Sequence, residues 1–399
     1  MKFMNSIITL IGLSSSLAVA GPQDTFSTLN IREVKQSLEV YAKQQSGDGW
    51  FAYSVPAAPD THSMCCFNHD EQSRCDLGEQ GTGYGSSSDA PFTDNIHVFV
   101  EYQGQDIKRI MPVGDHCQVK AEGLTVEWLA HVDNQQSIEW LAEQAHADQD
   151  KHHRGSLYTL SLHDDPLAAE TLYDMASEQA GQLAEQSVFW LGQRKSDGFP
   201  YIQQLFNELP PGKIRRKVNF ALSQNENPKA LELLKKIASH DQDKEQQADA
   251  IFWLSQADDV ADLPAFLLDL LNHSDDQGIK EKAIFSLSQI DSEAANDVLT
   301  QLVEEHDSAD VREKALFWLA HNHPEQAAAV AMQLLENSAQ QNEQENAVFV
   351  LSQLPGKQGT QALLDIVKGP YTRSIKKKAL FWLSQSDDED TIKALEQLL

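Results

Sequence analysis

The chain has 399 residues, 41% of them hydrophobic, with 31 Lys plus Arg against 60 Asp plus Glu, a formal charge of −29. That length and apolar content can bury a sizeable core, while the negative charge argues against phosphate backbones and anionic membrane surfaces as ligands. Acidity of this kind keeps a chain soluble and leaves room for a basic partner.

Met1-Lys2 is followed by apolar residues through Ile7, Ile8, Leu10, Ile11 and Leu13, then by small residues up to Ala18-Val19-Ala20. The pattern is that of a secretory signal peptide over residues 1–20, with an apolar run too short to span a bilayer. The expected product is periplasmic or secreted, with no membrane insertion after signal removal. Four cysteines follow: Cys65, Cys66, Cys75 and Cys117. An even number in an oxidising compartment reads as two disulfides. Adjacent Cys65 and Cys66 cannot easily bond each other. The preferred pairing is Cys66 with Cys75 and Cys65 with Cys117; the alternative exchanges Cys65 and Cys66.

In chain order, the spacing of Ile31, Val34, Leu38 and Tyr41 predicts a helix from Ile31 to Lys43. Trp50 to Val55 suits a strand. Gly81 to Ser88 reads as a solvated loop, and its G-x-G is no phosphate cradle because no helix start follows. Ile96–Tyr102 and Ile107–Val113 alternate around Gln103-Gly104-Gln105-Asp106, a β-hairpin signal. Residues 21–130 are thus expected to form a small, disulfide-containing α/β unit. Thr125 to Val132 reads equally as its last strand or, through Trp128, as a degenerate copy of the repeat that follows. The repeat region is assigned to residues 131–399.

The repeat announces itself in a pentad. Phe381-Trp382-Leu383-Ser384-Gln385 recurs unchanged at Phe252-Trp253-Leu254-Ser255-Gln256. Phe220, Phe285 and Phe349 open close variants, and Phe189-Trp190 and Phe317-Trp318 keep the apolar half. The phenylalanines are 31 to 33 residues apart. A fixed period in this range means a stack of similar supersecondary units. Within each period an inner helix carries the pentad and an outer helix carries one apolar stripe, as in Leu231, Leu234 and Ile237. The expected core is a buried spine of Phe189, Trp190, Phe220, Phe252, Trp253, Phe285, Phe317, Trp318, Phe349, Phe381 and Trp382, since large aromatics bury much area.

The grammar Asp-x-x-x-Val-Arg-x-x-Ala-x-x-x-Leu resembles HEAT-like repeats. Asp307, Val311-Arg312, Ala315 and Leu319 fit it; Asp275, Ile279-Lys280, Ala283 and Leu287 fit with conservative changes; Ile375-Lys376, Ala379 and Leu383 fit without the leading Asp. The resemblance covers roughly residues 180 to 399, and the short period is that of the short HEAT-like variety. The N-terminal part is similar to exported bacterial HEAT-repeat proteins with a Cys-Cys pair before the repeats. The implied fold is mainly α: a right-handed α-solenoid of two-helix HEAT-like repeats behind a small α/β unit. Some short HEAT-like proteins are bilin lyases, but no residue here matches a pigment-handling one.

Two ladders recur. Five residues before the phenylalanines stand Arg215, Gln247, Lys280, Arg312, Gln344 and Lys376, expected to reach acidic or carbonyl groups of neighbouring repeats. A Gln, usually after Ser, ends the pentad helix and is expected to satisfy its free carbonyls. His62, Cys65, Cys66, His69 and Cys75 are dense enough for a metal but match no standard finger spacing. No nucleophile–base–orienter set stands out. These readings favour an exported, non-enzymatic protein-binding scaffold with no cofactor, no metal and no nucleic acid. The alternatives are a metal-binding or redox module in the cysteine-bearing unit, and an envelope-acting enzyme with no residues to assign.

Overall fold

The protein is described by a computed structural model over residues 26–67, 74–79, 83–87, 89–147, 153–178, 181–257, 260, 262–354 and 357–385. The expected signal peptide and the last expected helix, Thr391 to Leu399, lie outside the described residues. The chain forms two compact units that divide between Thr171 and Leu172.

The first unit is built on a five-stranded sheet ordered β1-β9-β2-β6-β7. Its strands are β1 (Asn30–Val34), β2 (Asp48–Pro56), β6 (Asn95–Gln103), β7 (Asp106–Gly114) and β9 (Thr125–Leu129). β9 runs parallel to β1 and β2 on either side, while β2, β6 and β7 are antiparallel. The hairpin turns at Gly104, whose φ of 64° suits a residue without a Cβ. Two short pairs complete the unit: β3 (Cys65–Phe67) with β5 (Gly83–Gly85), and β4 (Arg74–Asp76) with β8 (Gln118–Lys120). Residues 83–85, expected in a loop, therefore pair as a strand.

β2 is buried on both sides, which explains its imperfect alternation. Phe51 meets Tyr41 of α1 (Leu38–Lys43) and Trp140 of α2 (Asn134–Ala147). Trp50 and Ala52 point the other way, into a cluster with Phe99, Val126, Trp128 and all four cysteines. The expected helix over Ile31–Lys43 is corrected here. Its first part is β1, because pairing with β9 satisfies that backbone along its length, and helix starts only at Leu38. Thr125–Leu129 is a strand and not a degenerate repeat. α2 and α3 (His153–Ser161) also belong with the sheet. Tyr53 Oη lies 2.9 Å from Ser137 Oγ, which also holds His163 Nε2 at 2.8 Å. These contacts carry the division well past the expected boundary near residue 130.

The second unit begins within α4 (Pro166–Ser177) and continues as alternating helices. The pentads lie on α5 (Gly181–Gln193), α7 (Lys213–Gln224), α9 (Lys244–Ser255), α11 (Gln277–Ser288), α13 (Ala309–Asn322), α15 (Gln341–Ser352) and α17 (Arg373–Leu383). Between them stand α6 (Lys195–Glu208), α8 (Pro228–His240), α10 (Leu263–His273), α12 (Glu293–Glu305), α14 (Pro324–Asn337) and α16 (Lys357–Lys368). Successive pentad helices pack on one another, and α5, α7, α11, α13 and α15 each also pack on the helix that follows them in sequence. Among the described residues, the only strands are those of the first unit.

The expected aromatic spine is not the core. The fully buried positions are the pentad leucines Leu191, Leu222, Leu254, Leu287, Leu319 and Leu351, with Val218, Ala250, Ala283, Ala315, Ala347 and Ala379. Phe189, Phe317 and Phe381 are 37%, 44% and 53% exposed. Phe220, Phe252, Phe285, Phe349, Trp190, Trp253, Trp318 and Trp382 are half-buried. At about 100° per residue, the Phe and the Leu two positions on stand some 200° apart. Once the Leu faces inward with the Ala two before the Phe, the Phe must face out.

Candidate functional site: an aromatic edge on the pentad helices

Seven successive helices therefore bring their aromatics to one edge of the second unit. The rings touch across repeats. Phe189 stacks on Phe220 with centroids 5.6 Å apart, and Phe252 on Phe285 at 6.4 Å. Phe220 meets Trp253 edge-on at 4.6 Å, Phe285 meets Trp318 at 5.3 Å and Phe349 meets Trp382 at 5.1 Å. The alternation has a cause in the sequence. α5, α9, α13 and α17 carry Trp after the Phe, whereas α7, α11 and α15 carry Ala221, Ser286 and Val350.

Charge along the edge is compensated. Lys213 pairs with Glu185 at 2.5 Å, Arg216 with Glu245 at 2.7 Å, Lys314 with Glu281 at 2.5 Å and Lys378 with Glu345 at 3.7 Å, each joining consecutive pentad helices. Lys282 Nζ stands over both Phe252 and Phe285, at 5.6 and 5.4 Å from their centroids. A cleft of about 540 Å³ opens at Phe189, Phe220 and Trp253, with Lys213, Arg216, Lys217 and Asp249 on its walls. Burial pushes the Asp249 carboxyl above its ordinary value, against the pull of the Asn219 amide and the Arg216 guanidinium. Asn219, fully buried, donates to Asp249 Oδ2 at 3.1 Å and to the Gln246 carbonyl at 3.0 Å.

The two ladders hold this edge in place. Arg215 donates to Asp241 and to the Phe206 carbonyl, and Arg312 to Glu343 and the carbonyls of His306 and Asp307. Gln247 and Gln344 reach carbonyls of the preceding helix, Ala238 and Leu335. The helix-end role expected of the Gln ladder belongs instead to the Ser before it. Ser223, Ser255, Ser288, Ser352 and Ser384 each donate to the carbonyl of their own pentad Phe at 2.5 to 2.8 Å. Gln224, Gln256, Gln289, Gln353 and Gln385 lie against those hydroxyls. Gly192 replaces the Ser in α5, where a Cβ would fall 2.8 Å from Ala221 Cα.

In the first unit the structure bonds Cys65 to Cys117 and Cys66 to Cys75. The sulfurs of Cys65, Cys75 and Cys117 lie within 4.8 Å of one another. His62 is not part of that cluster: its Nδ1 is bonded to the Ala90 carbonyl and its ring packs on Phe92. His69 lies outside the described residues. The first unit also holds a chain missed in the sequence, Ser54–His97–Asp115. Ser54 Oγ is 2.6 Å from His97 Nδ1, and His97 Nε2 is 2.9 Å from Asp115 Oδ1. No spacing could disclose it, because cross-strand pairing of Ser54 with His97 creates it. His97 is buried beneath Phe26, and Asp115 also accepts from the amides of Asp94 and Asn95. The chain ties two strands to the turn after β7.

Among the described residues, no helix is long and apolar enough to cross a membrane. Residues 236–320 match the family model for HEAT repeats. No curated protein matches the sequence. Among solved structures, human deoxyhypusine hydroxylase in complex with glycerol is 16% identical over 63% of this chain and 96% of its own, with a TM-score of 0.27. The complex of CpcE and CpcF of phycocyanin lyase from Nostoc sp. PCC7120 is 16% identical over 57% and 92%, with a TM-score of 0.28. The Mot1 N-terminal domain in complex with TBP is 14% identical over 56% and 35%, with a TM-score of 0.31. Overlaps this loose carry no argument about function.

Proposed function

We propose that this HEAT-repeat protein is an exported, non-enzymatic scaffold that binds a partner protein along its aromatic edge. One observation carries the reading: large apolar rings recur, partly exposed, at the same position of successive helices. Contiguous exposed apolar surface rimmed by polar groups marks an interaction site, and aromatic side chains dominate the energetic centres of protein interfaces. Charge compensation supports it too, since interface centres are depleted of unpaired charge. Export is supported by the use of all four cysteines in disulfides, which persist in oxidising compartments. The Ser54–His97–Asp115 chain is read as structural, with the carboxylate saturated and the imidazole covered.

A photo-crosslinking amino acid at Phe317 or Phe381, in the native envelope, is expected to capture one defined partner. The same group at Glu304, exposed on α12, should not. Diffuse capture of abundant proteins from all three positions would overturn the proposal. Labelling of Ser54 by a fluorophosphonate would overturn the non-enzymatic part alone.

A further inference from the structure

The two disulfides of the first unit touch. Cys75 Sγ lies 3.6 Å from Cys117 Sγ and 3.9 Å from Cys65 Sγ, although each belongs to the other bridge. We infer that the four cysteines form a thiol–disulfide exchange site, in which a dithiol that opens either bridge converts the pair into a single Cys75–Cys117 bond with Cys65 and Cys66 as free thiols. The inference is independent of partner binding on the repeats.

The chemistry balances from both points of attack. A thiolate of the external dithiol attacks Cys66 Sγ, breaks the Cys66–Cys75 bond and leaves Cys75 as thiolate. That thiolate, already in contact with Cys117 Sγ, attacks it, forms Cys75–Cys117 and expels Cys65 as thiolate. The second thiol of the dithiol then displaces Cys66, and the two departing thiolates take the two protons the dithiol gives up. Attack at Cys65 instead releases Cys117, which attacks Cys75 and expels Cys66. Both routes end in the same product: the dithiol is oxidised to its disulfide, and the protein is reduced by two electrons. Exchange of this kind runs through a mixed disulfide and depends on access and on how well the leaving thiolate is stabilised; all four cysteines are buried, and Cys65 is the most exposed of them at 8%.

Local geometry favours the exchange. The Cys66 backbone N–H donates to Cys75 Sγ at 3.0 Å, which stabilises Cys75 as a thiolate. Cys66 Sγ turns toward Met111 Sδ, 3.5 Å away. Cys75 and Cys117 flank strands that already pair, since Cys75 of β4 lies opposite Val119 of β8. The new bond therefore reinforces an existing ladder. Both covalent ties of β3 are lost, and an adjacent dithiol appears on it. Stoichiometric exchange with a dithiol-bearing protein or small molecule is the matching reaction.

The test uses the full mature chain equilibrated in dithiothreitol redox buffers, quenched with acid and N-ethylmaleimide, and mapped by peptide mass spectrometry. The doubly alkylated species should carry its labels on Cys65 and Cys66, with Cys75 linked to Cys117. Doubly alkylated protein that retains either original bond overturns the inference. Cys66→Ala supplies a second arm that needs no reductant. It leaves Cys75 as a thiol, and roughly half or more of the molecules should show the Cys75–Cys117 link with Cys65 free. Complete retention of Cys65–Cys117 overturns it. Cys75→Ala should keep Cys65–Cys117 intact; rearrangement there would also overturn it, since Cys66 would then be exchanging.

Discussion

Asp115 gathers the backbone amides of Asp94 and Asn95, the Asn95 side chain, the Thr93 hydroxyl and His97 around one carboxylate. Burial works to raise its pKa; the bonds from His97, Thr93 and Asn95 outweigh that and hold it well below the usual carboxylate range. A depressed folded-state value means the stabilisation is present above the unfolded value of about 3.9 and is lost as the pH falls toward the folded one. Asp115→Asn should cost about 1–3 kcal/mol at pH 7, the usual loss for an acceptor turned against its donors. Because only the wild type carries the titrating carboxylate, the gap should narrow progressively as the pH falls below about 4. Urea unfolding at pH 7 and pH 3 checks it; a gap unchanged between the two would contradict the account.

On a pentad helix, two side chains five residues apart do opposite work. Arg312 is mostly buried and joins α13 to Glu343 of α15 while holding two carbonyls of the preceding turn. Arg312→Ala should cost about 1.5–3 kcal/mol, as for hydrogen bonds to charged groups. Phe317→Ser, at an exposed position, should stay within about 1 kcal/mol and yet abolish partner capture at the edge. Denaturation midpoints of the two variants separate the roles. The reverse order of cost would mean that the phenylalanines are core after all. The periodicity of Phe, Trp and Leu was legible as helix, but the three together span more than half a turn. Which of them faces the core was decided by the next helix. The Ala and Leu that flank the Phe on its far side carried the signal, and the size of the aromatic rings masked it.

Across the second unit each pentad helix is covered by its neighbours in the stack, so stability passes from repeat to repeat. Deleting residues 371–399 removes α17 and uncovers Ala347, Val348 and Leu351 of α15, all buried in the intact chain. The truncated protein should melt several degrees lower and lose solubility, as a loss of 1 kcal/mol alone moves the midpoint by about 2–4 °C in a unit of this size. Scanning calorimetry and sedimentation check both. An equally stable, equally soluble truncation would show that the repeats do not depend on one another.

Period and helix propensity are local, so the sequence by itself determined that repeats exist, where they recur and that they are two-helix layers, like the HEAT repeats that residues 236–320 match. The strand and hairpin of the first unit were local signals too. The tertiary structure alone decided the rest, because each part of it is set by a neighbour distant in sequence. Residues 30–34 became a strand because β9 lay beside them, the phenylalanines turned outward because leucines filled the space between helices, and the sulfurs of two separate bridges came to rest in contact because four strands converge on one small core.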